Sequence, residues 1–101
     1  MNIGQAIRMC RSRRGLSLAE LARRAQCSVS YLSMLESGVR KDPTLSTIKN
    51  IALALNVPMG IMFFLAADKN DLVGIDNELA GRLAVAALEF MSEPEGQPSL
   101  L

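Results

Sequence analysis

The stretch from Ser17 to Gly38, SLAELARRAQCSVSYLSMLESG, decides how the rest of the chain is read. Ser17 stands where its hydroxyl can accept a hydrogen bond from the backbone N–H three residues on, and Glu20 occupies the reciprocal position of a capping box. Leu18, Leu21, Ala22 and Ala25 then form the inward face of a short helix. Gln26 and Cys27 break that pattern. Ser28 is a second N-cap, Leu32 and Leu35 point inward, and Gly38 ends the element. Two short helices joined by a tight turn form a helix-turn-helix, provided that small residues let them pack steeply. Ala22 and Ala25 meet that condition, and Leu21, Leu32 and Leu35 supply the shared core.

Working outward, the same 3.6-residue period continues and no segment alternates as a strand would. Ile3, Ile7 and Cys10 line one face of a first helix that Gly15 ends. A polar stretch from Val39 to Pro43 follows the motif. Thr44 then caps a fourth helix, with Leu45, Ile48, Ile51, Ala52 and Leu55 facing inward and Asn56 at its end. Pro58 suits the first turn of a fifth helix running to about Ala67. The expected class is all-α, a five-helix domain over residues 1–67 with an added C-terminal helix. Residues 68–75 read as a linker. Asp76 or Asn77 caps a last helix over 76–92, with Leu79, Leu83, Ala86 (or Ala87) and Phe90 on its apolar stripe. Residues 93–101 contain two prolines and two glutamates and read as a flexible tail.

Charge divides the chain. Residues 1–67 carry nine basic residues (Arg8, Arg11, Arg13, Arg14, Arg23, Arg24, Arg40, Lys41, Lys49) and three acidic ones, a balance of +6. Residues 68–101 carry two basic residues and seven acidic ones, a balance of −5. A basic half suits a polyanionic partner, although any solvated helical surface also needs charges. There is no histidine, and Cys10 and Cys27 form no CxxC. A zinc site is therefore not expected, and both cysteines read as small buried hydrophobes. No nucleophile motif or phosphate-cradling glycine loop is present, so neither an enzyme nor a cofactor is expected. The basic N-terminal residues precede no apolar run of a signal peptide. The apolar run 57–67 is too short to span a bilayer, which takes roughly 20 residues. A cytoplasmic protein without a membrane role is the expectation.

At this point the residues resemble a known family. The runs Gly15-Leu16-Ser17-Leu18-Ala19-Glu20-Leu21-Ala22, Ser28-Val29-Ser30-Tyr31-Leu32-Ser33-Met34-Leu35-Glu36-Ser37-Gly38 and Pro43-Thr44-Leu45 are similar to the phage repressor and Cro type of helix-turn-helix, also called the xenobiotic-response-element family. The resemblance covers about residues 3–67. It implies binding of double-stranded operator DNA, usually as a homodimer. By the same resemblance Arg11 and Glu36 form a buried ion pair. Ser17, at the start of the second helix, faces a phosphate, and Arg40 and Lys41 grip the DNA backbone. Ser28, Val29, Ser30 and Tyr31 are aimed at bases, with Ser33 or Met34 one turn further on.

Two departures from the family pattern stand out. Leu18 replaces a frequent Gln that helps hold a phosphate. Gln26 replaces the usual turn Gly, so either it accepts a conformation that Gly takes more easily or the turn differs slightly from the family's. The helix from Ser28 to Met34 also carries none of the Arg, Lys, Asn or Gln side chains that make the commonest bidentate base contacts. Specificity would then lean on hydroxyls, on Val29 against thymine methyl groups, on DNA shape, on water or on Gln26.

Dimer surfaces are expected on the fifth helix, through Ile61, Phe63 and Phe64, and on the last helix, through Leu79, Leu83 and Phe90. The small residues Ala80, Gly81, Ala84 and Ala87 would permit close helix approach. The plainer alternative is that the last helix covers its own domain. The leading expectation is a homodimeric repressor or autoregulator at an inverted-repeat operator, with no small-molecule effector evident. The alternative is an antitoxin or protein-interaction module that holds a partner with the acidic C-terminal helix.

Overall fold

The computed structural model describes residues 1–68 and 70–92. Among them all regular structure is helical: α1 (Ile3–Arg14), α2 (Leu18–Ala25), α3 (Val29–Ser37), α4 (Leu45–Leu55), α5 (Met59–Ala66) and α6 (Asn77–Ser92). The expected tail, 93–101, lies outside the described residues.

Local chemistry sets most of these boundaries. The hydroxyls of Ser17, Ser28 and Thr44 accept from the backbone N–H of Glu20 (3.0 Å), Tyr31 (3.0 Å) and Thr47 (3.1 Å), each three residues on. Asn2 starts α1 in the same way, accepting from Gln5 N–H at 3.0 Å. Four helices end on a left-handed residue: Gly15 (φ 70°), Gln26 (φ 60°), Gly38 (φ 86°) and Asn56 (φ 57°). The capping box at Ser17 differs from expectation in its second half. The Glu20 carboxylate engages Arg23 at 2.7 Å and Arg24 at 3.5 Å, because cations three and four residues on share its helix face.

α1 lies at the centre, packed on α3, α4 and α5, while α2 packs on α3 and α4. Ile7, Cys10, Leu21, Leu32, Leu35, Ile51, Leu55 and Met62 are fully buried. Each large aliphatic side chain among them contributes about 1.5–3 kcal/mol by leaving water. Where α1 meets the end of α3 the backbones nearly touch. A Cβ at Gly4 would collide with the Leu35 carbonyl, so only glycine fits there.

Two leucine placements differ from the sequence pattern. Leu45, expected inside, is 66% exposed because the first turn of α4 projects past the core. Leu16, between α1 and α2, is buried instead. On the almost wholly apolar α5 only Met62 and Ala66 are buried, while Ile61, Phe63, Phe64 and Leu65 are half-buried. Cys10 is buried as expected, whereas Cys27, read as buried, is half-buried at the turn, and neither forms a disulfide. Burial pushes the Cys10 thiol up to about 11 and also raises Cys27.

The segment after α5 folds as successive turns. Asp68 Oδ1 accepts from the N–H of Asn70 at 2.9 Å and Asp71 at 3.1 Å. The Asp71 N–H, first among several donors, holds the Asp68 carboxyl below its ordinary range. α6 then packs back on α1 and α5 of its own chain. Its stripe is buried at Ala87 and half-buried at Leu83, Ala86 and Phe90, whereas Leu79 and Val85 are 45% and 58% exposed.

Candidate nucleic-acid interface

The α2–turn–α3 unit is held rigid from behind, which leaves its outer face to solvent. Leu21, Ala22 and Ala25 of α2 meet Leu32 and Leu35 of α3 in the core. Gln26 makes the turn in the left-handed conformation that glycine would adopt more easily, and its backbone N–H closes onto the last turn of α2. The Cys27 N–H donates to the Ala22 carbonyl at 3.0 Å. Leu18, which takes the place of a phosphate-contacting Gln in the family pattern, is half-buried against the core.

Arg11 and Glu36 tie α1 to the end of α3. Arg11 Nε donates to Glu36 Oε2 at 2.7 Å and Arg11 Nη2 donates to Oε1 at 3.0 Å. Nη1 donates to the Leu16 carbonyl at 2.8 Å. The side chains are 18% and 6% exposed. The hydrogen bond to the Glu36 carboxylate raises the guanidinium pKa further above its ordinary value.

Ser28, Val29, Ser30 and Ser33 are exposed on the outer face of α3, with Val29 at 46%. The Ser28 hydroxyl already accepts from Tyr31 N–H, so its O–H donor and one acceptor lone pair remain for a ligand. Ser17 is in the same position at the start of α2. Tyr31 and Met34 are half-buried, and Tyr31 packs against the core. Arg40 and Lys41 are exposed in the loop after α3. The loop folds back on the helix, so that Arg40 N–H donates to the Met34 carbonyl at 3.0 Å and the guanidinium lies 5.5 Å from the Tyr31 ring centre.

Position along the sequence does not reveal how the cations divide. Arg11 serves Glu36, and Arg23 and Arg24 serve Glu20. Arg14 is buried, and its guanidinium donates to the carbonyls of Leu55 and Asn56, both at 2.9 Å. It neutralises the carbonyl end of α4, a role that no local pattern marks. Arg11 and Arg14 are thus spent on architecture, whereas Arg40 lies against Tyr31 of α3 and Lys41 follows it in the same exposed loop.

Of the residues expected at a dimer seam, Ile61, Phe63, Phe64 and Leu83 line one apolar groove with Leu72 and Ile75, about 560 Å³ in volume. Leu79 and Phe90 lie on α6 outside that lining.

A family model described as Helix-turn-helix matches residues 7–61, from α1 into α5. The chain belongs to the Cro/C1-type helix-turn-helix family. Its relatives in this helix-turn-helix family carry regulator names. The HTH-type transcriptional regulator SlrR of Bacillus subtilis is 38% identical over 61 residues, 60% of this chain and 40% of SlrR. SinR of the same organism is 36% identical over 55 residues, 54% of this chain and 50% of SinR. DdrOP3 of Deinococcus deserti is 44% identical over 99 residues, 93% of this chain and 67% of that regulator. The chain therefore spans half or less of SlrR and SinR. Among the described residues no single helix is long and apolar enough to cross a membrane.

Proposed function

We propose that the chain is a transcriptional regulator that binds an inverted-repeat operator as a homodimer and represses from it in the cytoplasm. The observation that carries this reading is the pairing of a solvent-facing α3, backed by the core, with Arg40 packed against it and the exposed Lys41 next in the same loop. In this geometry α3 enters the major groove with its N-terminal residues near base edges. Ser17 and the first N–H groups of α2 meet one phosphate, and Arg40 and Lys41 meet others. Ser28, Val29, Ser30, Tyr31 and Ser33 or Met34 read the sequence, with Gln26 at the turn.

Residues 1–67 act as the DNA-binding unit, 68–75 as the connection and 76–92 as the dimerising element. The exposed Leu79 and Val85 of α6 and the half-buried Ile61, Phe63 and Phe64 of α5 support pairing through those helices. The names of SlrR, SinR and DdrOP3 support regulation of transcription. Selection of bound duplexes from a random pool tests the proposal. An enriched inverted repeat with half-sites about one helical turn apart is expected. A pool without enrichment contradicts it.

A further inference from the structure

The Arg40 guanidinium carbon lies 5.5 Å from the centre of the Tyr31 ring, and the Arg40 N–H donates to the Met34 carbonyl at 3.0 Å. The loop is thus fastened to α3 at two points, one through the main chain and one through the side chain. A cation within about 6 Å of a ring centroid is attracted by the ring's negative face. Tyr31 is half-buried and packs on the core, so the core and the guanidinium together restrict its ring. Among residues 28–33, Tyr31 is the one long side chain with a polar tip, since the others are serines, a valine and the buried Leu32. The direction of its phenol oxygen decides which base edge it can reach.

We propose that Arg40 is a positioning residue for sequence choice, acting through Tyr31 rather than only through phosphate. This rests on the reading of α3 as the base-reading helix. Arg40 holds the phenol in one orientation, so losing the guanidinium alters base preference as well as affinity. Lys41 has the same charge and is the next residue along the chain, which makes it the control for a purely phosphate-directed role.

The test compares selections from random duplexes by wild type, Arg40→Ala and Lys41→Ala. Arg40→Ala is expected to change preference at the positions that Tyr31→Leu also changes, whereas Lys41→Ala weakens binding to all sequences alike. In a double-mutant cycle, Tyr31→Leu and Arg40→Ala should couple by about two- to five-fold in affinity. A second readout needs no DNA. The chain holds one tyrosine and no tryptophan, so the near-ultraviolet circular dichroism of tyrosine reports Tyr31 alone. That band should shrink in Arg40→Ala and persist in Lys41→Ala, with far-ultraviolet spectra unchanged. An enriched wild-type pool whose preference survives Arg40→Ala overturns this proposal alone. A wild-type pool with no enriched sequence overturns the underlying reading and this proposal with it.

Discussion

Arg11 grips Glu36 with two parallel N–H···O bonds of 2.7 and 3.0 Å, joining the C-terminal part of α1 to the end of α3. The contact spans 25 residues of sequence and sets where α3 sits relative to the core. Both side chains are largely shielded from water, so removal of the carboxylate strands a charge. Glu36→Ala should therefore cost about 3 kcal/mol and lower Tm by roughly 10 °C or more. Lys49→Ala, at an exposed site, should stay within about 0.5 kcal/mol of wild type. Equal melting temperatures for the two variants would show the pair to be energetically idle.

Arg14 closes the end of α4 through the Leu55 and Asn56 carbonyls. Arg14→Ala leaves those acceptors without the guanidinium and removes a buried stem, a loss of about 1–3 kcal/mol. Arg14→Lys keeps the charge but not the planar fork, and should fall between the two. Urea unfolding measures the order, and a lysine variant as stable as wild type would contradict it.

Gln26 holds a left-handed backbone at φ 60°, where a side chain is disfavoured. Gln26→Gly should be neutral to stabilising by up to about 1 kcal/mol, since relief of strain exceeds the added freedom of the unfolded chain. Gln26→Val should destabilise by at least about 1 kcal/mol, because branching at Cβ suits this region least. Thermal denaturation of the pair reads the difference, and the reverse order would refute the strain.

Val29 offers an exposed apolar surface at the start of α3. If it packs on a thymine methyl group, replacing that thymine by uracil should weaken binding about four-fold, the value of one buried methyl. The same replacement should not affect Val29→Ser. Titration of matched duplexes checks this, and equal sensitivity in both proteins would exclude the contact.

What was legible in the sequence is what acts over one helical turn. Ser17, Ser28 and Thr44 as caps, and Gly15, Gly38 and Asn56 as ends, depend on neighbours within four residues. The all-helical class followed from these and from the apolar period. The features that escaped depend on distant partners. Arg14 reaches across 41 residues to Leu55, and Gly4 is required by the carbonyl of Leu35. Leu45 continues the α4 stripe but overhangs the core that would cover it. At the interface, the positions of the exposed serines follow from the period of α3. The placement of Arg40 over Tyr31 depends on how the loop returns, which no local pattern specifies.

The most direct test of α3 as the reading element is a selection repeated with Ser30→Asn. Asparagine can pair in bidentate fashion with adenine N6 and N7 in the major groove. A homodimer that reads bases with α3 should still select an inverted repeat, with adenine newly preferred at one symmetric position in each half-site. Enrichment of the wild-type sequence unchanged by Ser30→Asn, at equal affinity, would contradict base reading by this helix.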